Sequence, residues 1–126
     1  MKFVARHISF QELENVPGGW MFALGDLPGL PGEDMPETYV MIQFGDEDEQ
    51  DRRLGMTGLH IETSDGELEG YGKVAHIAYD GETVSITGRY GAGRIEARIA
   101  TDMMTPGEIY LAIQKCNGAN MVQPEE

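Results

Sequence analysis

The chain has 126 residues, 40% hydrophobic and 25% charged, with a net charge of −13 and a single cysteine. That length suits one domain whose core needs no disulfide or metal staple. The acidity excludes electrostatic binding to nucleic acid or to an anionic membrane, and no apolar stretch approaches the about 18 residues of a membrane span.

The N-terminal MKFVARHISFQELENV lacks the apolar core and small-residue cleavage site of a signal peptide. Cys116 has no partner for a disulfide. A reduced, cytoplasmic protein is expected. The charge is uneven. Between Glu33 and Glu69 twelve acids stand against Arg52 and Arg53, a balance of −10, and the remainder is close to neutral. One region therefore carries the field. Such a field speeds encounter with a basic partner, or only keeps the chain soluble.

In chain order, KFVARHISF (2–10) is rich in strand formers, though its alternation is imperfect. QELENVPGG suits a short helical turn that Pro17-Gly18-Gly19 ends. WMFAL (20–24) puts Trp20, Phe22 and Leu24 on one face of a strand. The segment 25–37 holds three prolines and is expected to be a surface loop. TYVMIQF (38–44) and LHIET (59–63) are further strands, with Val40, Ile42, Phe44, Leu59, Ile61 and Thr63 inward and His60 and Glu62 outward. Between them 45–56 is expected to be an acidic loop.

KVAHIAYDGETVSITG (73–88) is a hairpin with its turn at Asp80-Gly81, both of which tolerate positive φ. A two-residue turn sets Tyr79 opposite Glu82, Ile77 opposite Val84 and Ala75 opposite Ile86. RIEARIA (94–100) alternates with Ile95, Ala97 and Ile99 inward. A helix from about Thr105 to Cys116 closes the fold. Thr105 and Glu108 form a capping box, with Pro106 at the first helical position. Ile109, Ala112, Ile113 and Cys116 form its apolar stripe. Asn117-Gly118 supplies a stop, and 119–126 is expected to fray. The whole reads as an α+β fold, with an antiparallel sheet of about six to seven strands and the helix packed on one face.

Candidate chemistry is sparse. GYGKVA (70–75) fits a dinucleotide fingerprint, but a strand follows the glycines where a helix is required. The plain reading is a turn with Tyr71 packed or displayed. His60 and Glu62 share one strand face and His76 lies on another strand, so close pairing of those strands would make a metal or catalytic site. Scattered histidines are more often surface residues. Cys116 lies on the apolar stripe, where a thiol acts as a small hydrophobe, and no nucleophile stands in a recognisable context. Met21, Met41, Met103 and Met104 read as core filler. No catalytic residue, cofactor or metal is therefore expected.

The acidic run Asp46, Glu47, Asp48, Glu49, Asp51, followed by Arg52 and Arg53, lacks the central glycine of a calcium loop. It is either a solvated loop or a recognition element whose mutual repulsion a basic partner relieves.

YVMIQFGDEDEQDRRLGMTGLHIE (39–62), followed by GYGKVAHIAYDGETVSITG (70–88), resembles the bacterial immunity protein 10 family. The pattern is a strand ending near Gln43, the acidic stretch Asp48 to Asp51, Leu54 to Met56, a strand ending in Glu62, and the turn Gly70 to Gly72. The resemblance covers about residues 3 to 100 and, more loosely, the helix. Phe44 stands where an arginine is expected, and the 25–37 loop is long. The resemblance implies a non-enzymatic antitoxin, encoded beside a polymorphic toxin, that binds a basic cognate toxin domain. The partner-binding surface is then expected to include Asp46, Glu47, Asp48, Glu49, Asp51, Arg52, Arg53, Glu62 and Tyr71. The alternatives are a ligand-binding or catalytic domain using His60, Glu62 and His76, and a homodimer joined through sheet edges.

Overall fold

The computed structural model describes residues 1–28, 38–46, 49–55, 58–66 and 68–121. Its elements in chain order are β1 (Lys2–Ala5), β2 (His7–Glu12), β3 (Trp20–Gly25), β4 (Tyr39–Phe44), α1 (Glu49–Arg53), β5 (His60–Thr63), β6 (Gly70–Tyr71), β7 (Val74–Tyr79) and β8 (Thr83–Gly88). A 3-10 turn at Arg89–Gly91, β9 (Arg94–Ile99) and α2 (Pro106–Met121) follow. The α+β class and the single long C-terminal helix match the sequence reading.

The strands divide between two sheets, ordered β1-β9-β8-β7 and β2-β3-β4-β5-β6. All pairings are antiparallel except β1 with β9, which run parallel. The expected single strand over 2–10 is thus two strands in different sheets. Its imperfect alternation has this cause: Ala5 and Ile8 are both buried, three residues apart, because the chain turns a corner at Arg6. There the Arg6 amide donates to the Gly25 carbonyl at 2.8 Å, and Ala5 accepts from the Ala100 amide at 2.8 Å. The segment after β2 does not turn helical at once. Strand β2 continues to Glu12, and a turn at Val16–Gly19 follows.

Inner faces of both sheets and the buried stripe of α2 meet in one cluster that includes Ile8, Phe22, Leu24, Val40, Ile42, Ile61, Ile77, Val84, Ile86, Ile95, Ile109 and Cys116. Each such aliphatic side chain contributes about 1.5–3 kcal/mol by leaving water. At one end of the cluster Phe10 stacks on Trp20, with ring centroids 4.7 Å apart and planes 11° from parallel.

The hairpin register is Tyr79 opposite Val84 and Ile77 opposite Ile86, a shift of two residues from the expected pairing. The cause is the Asp80 carboxylate, which accepts from the amides of Glu82 at 2.9 Å and Thr83 at 2.8 Å and so widens the turn. A two-residue shift preserves which face each side chain occupies. Ile77, Val84, Ile86 and Ile95 are therefore buried as expected, and Ile99 is half-buried. Ala75 departs from expectation. The register breaks between Val74 and His76, and Ala75 points out to solvent.

Helix α2 opens on its capping box. The Thr105 amide donates to Glu108 Oε1 at 2.8 Å, and the Glu108 amide donates to Thr105 Oγ1 at 3.2 Å. The expected stop at Asn117-Gly118 does not hold, and the helix runs on to Met121. The reason lies in the neighbouring strand. Strand β7 is an edge of its sheet, and edge amides and carbonyls need partners. Asn117 supplies them for Ile77, accepting from its amide at 3.1 Å and donating to its carbonyl at 2.8 Å. Asn120 donates to the Val74 carbonyl at 3.1 Å, beside the bulge. These bonds reward continuation of the helix by more than Gly118 costs, about 1 kcal/mol.

Asn117→Ala leaves the Ile77 amide and carbonyl without the side-chain amide and lowers stability by about 1–3 kcal/mol in urea unfolding. Cys116 is fully buried, and burial pushes its thiol from 9.0 up to about 12. A thiol reagent at about pH 8 should leave the native protein unlabelled and label it fully in denaturant. Below pH 9 this group gives stability no pH dependence. Above it the unfolded thiol ionises while the folded one does not, so stability falls as pH rises toward 12.

Candidate functional site

Strand β4 delivers the acidic run at its end. The Asp46 amide donates to the Pro17 carbonyl at 2.8 Å, and a Cβ at Gly18 would collide with the Asp46 carboxylate. Glycine at 18, with φ +64°, therefore lets the 16–19 turn lie against this acid. The expected loop is part helix. Glu49–Arg53 makes one helical turn, extended by a bond from the Leu54 amide to the Gln50 carbonyl at 3.0 Å. Gly55, at φ +76°, ends it in the left-handed conformation usual after a helix C-terminus. The physical reason is local: five consecutive residues without glycine or proline can close the turn before Gly55 breaks it. Glu47 and Asp48 lie outside the described residues, as do the side chains of Glu49 and Arg52.

Beside this turn is a groove of about 190 Å³ whose lining includes Val16, Gln43, Asp46, Asp51, His60 and Tyr71. Strand register explains the convergence. Gln43 pairs with His60 across β4 and β5, and His60 pairs with Tyr71 across β5 and β6. These side chains form one row on the sheet face away from the core. The His60 and Tyr71 rings meet edge to face, 4.8 Å between centroids. Gln43 Nε2 donates to Met21 Sδ at 3.6 Å in the same row. Two carboxylates on one side and an aromatic pair on the other can receive a cationic side chain, by charge and by the ring face.

Glu62 lies one row away and does not line the groove. Its carboxylate accepts from the Tyr39 hydroxyl at 2.9 Å. That bond, with burial and the nearby charges of Glu62 and Glu69, raises the Tyr39 hydroxyl above its ordinary value. His60, Glu62 and His76 are not gathered on one sheet. His76 is exposed on β7 of the four-stranded sheet, whereas the other two belong to β5 of the five-stranded one. Among the described residues no group of three or more His, Cys, Asp or Glu could hold a metal ion. No described helix is long and apolar enough to cross a membrane.

Several prominent surface residues were not singled out from sequence. Tyr90 is 98% exposed and left-handed, at φ +56° and ψ +32°. It sits between Arg89, whose amide donates to Lys73 O at 2.9 Å and whose Nε donates to Val74 O at 3.0 Å, and Gly91 at φ +70°. The glycines of RYGAG signal a turn, which alone would place a tyrosine there in solvent. Leu111 and Tyr110 are also exposed, as the wheel of α2 away from its buried stripe allows. Met103, expected in the core, is 50% exposed instead, because it lies in the bend before α2 begins.

The described residues thus place an open, acid-lined groove with an aromatic edge on the outer face of a two-sheet α+β domain. The chain belongs to the immunity protein 10 family, whose model matches residues 5–115, from the corner strand to the last turns of α2. Membership gives the chain an immunity role, which implies a toxin as its partner. No curated protein matches the chain.

A non-glycine residue in the left-handed region costs about 1 kcal/mol. Tyr90 makes no ring contact among those described, so Tyr90→Gly should hold or raise the melting temperature. Thermal unfolding followed by circular dichroism checks this, and a marked fall would show that the ring supports the turn.

Proposed function

We propose that this chain is a non-enzymatic, cytoplasmic antitoxin that binds and occludes a cognate polymorphic toxin domain, with a basic face of the toxin meeting the acidic run. The observation that carries the proposal is the convergence of Asp46, Asp51, His60 and Tyr71 on one groove at the run's edge. An acidic run kept only for solubility has no need of a shaped aromatic neighbour. Residues 46–53 then supply long-range attraction, and the groove receives a lysine or arginine of the toxin. Arg53 is exposed at the end of the turn, where it sets a positive boundary to the acidic surface. Glu62 orients Tyr39 rather than meeting the partner directly.

Charge steering acts mainly on the association rate and is screened by salt. Changing Asp46 and Asp48 to Asn and Glu47 and Glu49 to Gln should leave folding intact. It should slow association with the adjacent gene's product by roughly tenfold at low ionic strength, the gap closing in high salt. Stopped-flow mixing measures this. Equal rates at low salt would remove the run from the recognition surface.

A further inference from the structure

The outward side of α2 carries large apolar side chains among its polar ones, Glu108, Gln114 and Lys115, where an amphipathic helix normally turns only polar residues to water. Leu111 stands at its centre, 66% exposed, with Met103 at 50% and Tyr110 at 49% nearby. Within α2, residues 108, 111, 115 and 118 recur at steps of three, four and three, so Glu108, Leu111, Lys115 and Gly118 form one seam. Along it runs a groove of about 400 Å³, lined among others by Phe10, Trp20, Met103, Leu111 and Lys115. The Lys115 ammonium lies 4.3 Å from the centre of the Trp20 ring. At Gly107 and Gly118 nothing lies within 4 Å of where a Cβ would sit, so a second backbone can approach closely there.

The charge pattern identifies the occupant. From residue 70 to residue 121 the chain has five acids and five bases, so this part of the molecule lacks the acidity that would repel another copy. Glu108 and Lys115 lie on either side of Leu111, one acid and one base. Pack two such helices antiparallel about a two-fold axis at Leu111, and each Glu108 meets the partner's Lys115. A surface complementary to itself about a two-fold axis is what a cyclic dimer requires. The antiparallel arrangement also separates the acidic regions. Asn120 Oδ1 lies 3.4 Å from the position of a Cβ on Gly58, and Gly58 lines the acidic groove. At about 1.5 Å per residue, nine residues from the axis on each side place the two grooves about 27 Å apart. That is well beyond the Debye length of about 8 Å at physiological salt.

We propose that the chain forms a symmetric homodimer through the outward face of α2, with Leu111 on the axis, Glu108 facing the partner's Lys115, and the two acidic grooves free at opposite ends. This interface differs from the sheet edges considered from sequence, and it does not rest on the antitoxin reading.

Sedimentation of the full chain, without toxin, tests it. The mass should rise from 13.9 kDa toward twice that value as concentration increases from about 1 to 100 μM. Trp20 is the only tryptophan and lines the groove, so its emission should shift over the same range. Leu111→Lys should be monomeric throughout and melt as the wild-type chain does at about 1 μM, because Leu111 is largely outside the protomer's own core, while the wild-type melting temperature rises with concentration. Lys115→Glu should weaken the dimer by roughly tenfold or more, and the double exchange Glu108→Lys with Lys115→Glu should restore it, since the pair is then reversed but still complementary. The double variant loses the capping box and melts lower, which a thermal scan separates from dimer loss. A monomer at every concentration overturns the proposal. So does a dimer indifferent to Leu111→Lys, which would place the contact elsewhere, or a double exchange that fails to restore association. A monomer whose Leu111→Lys variant loses toxin binding assigns the face to the toxin instead.

Discussion

Two asparagine side chains hold α2 against the open edge of β7, and much of the remaining architecture depends on that contact. Asn117 meets both the amide and the carbonyl of Ile77, as a neighbouring strand would, and Asn120 reaches the Val74 carbonyl at the bulge. A strand edge that would otherwise invite another chain is thereby closed within the molecule. The same bonds fix the rotation of α2 about its axis. With that rotation set, Ile109, Ala112, Ile113 and Cys116 face inward, Leu111 faces out, and Asn120 rests against Gly58 at the rim of the acidic groove. One polar contact thus links edge protection, core packing and the placement of both surface features.

Division of the surface follows charge. The groove that Asp46 and Asp51 line lies beside the five-stranded sheet, whereas the face of α2 belongs to the half of the chain whose charges balance. A surface of strong single-sign field and a neutral apolar surface perform different physical tasks. The first acts at a distance and is weakened by salt; the second acts only on contact and is not. Placing them apart lets each operate without opposing the other.

Local chemistry was legible in the sequence where a short spacing determines the structure. The Thr105–Glu108 box, the alternation of 94–100 and the inward Ile77, Val84 and Ile86 all depend on residues within a few positions of each other. What escaped depends on distant partners. The corner at Arg6 follows from pairing with β9 on one side and β3 on the other. The overrun of α2 follows from a carbonyl forty residues away. The turn at Asp80 shows an intermediate case: its position was readable, but the carboxylate's choice of two amides set the register. For the site, Asp46, Asp51 and Tyr71 were named from their residues and do converge, because sheet register carries Tyr71 across to β4 by way of His60. Glu62 stands one row away, and nothing near it in sequence reveals that its carboxylate accepts from the Tyr39 hydroxyl.

The parallel pairing of β1 with β9 has a temporal consequence. Strands β2 to β6 and the β7–β8 hairpin bring together segments close in sequence, and such contacts form early and fast. The first four-residue strand must wait for Arg94–Ile99, which no described strand follows. During synthesis β2 to β6 all emerge before β9, so the five-stranded sheet can assemble while the second still lacks its parallel pair. That pairing spans a larger sequence separation than any other in the two sheets. Its rate sets how long exposed apolar strands persist, and hence how soon after translation a newly made molecule is ready for any partner.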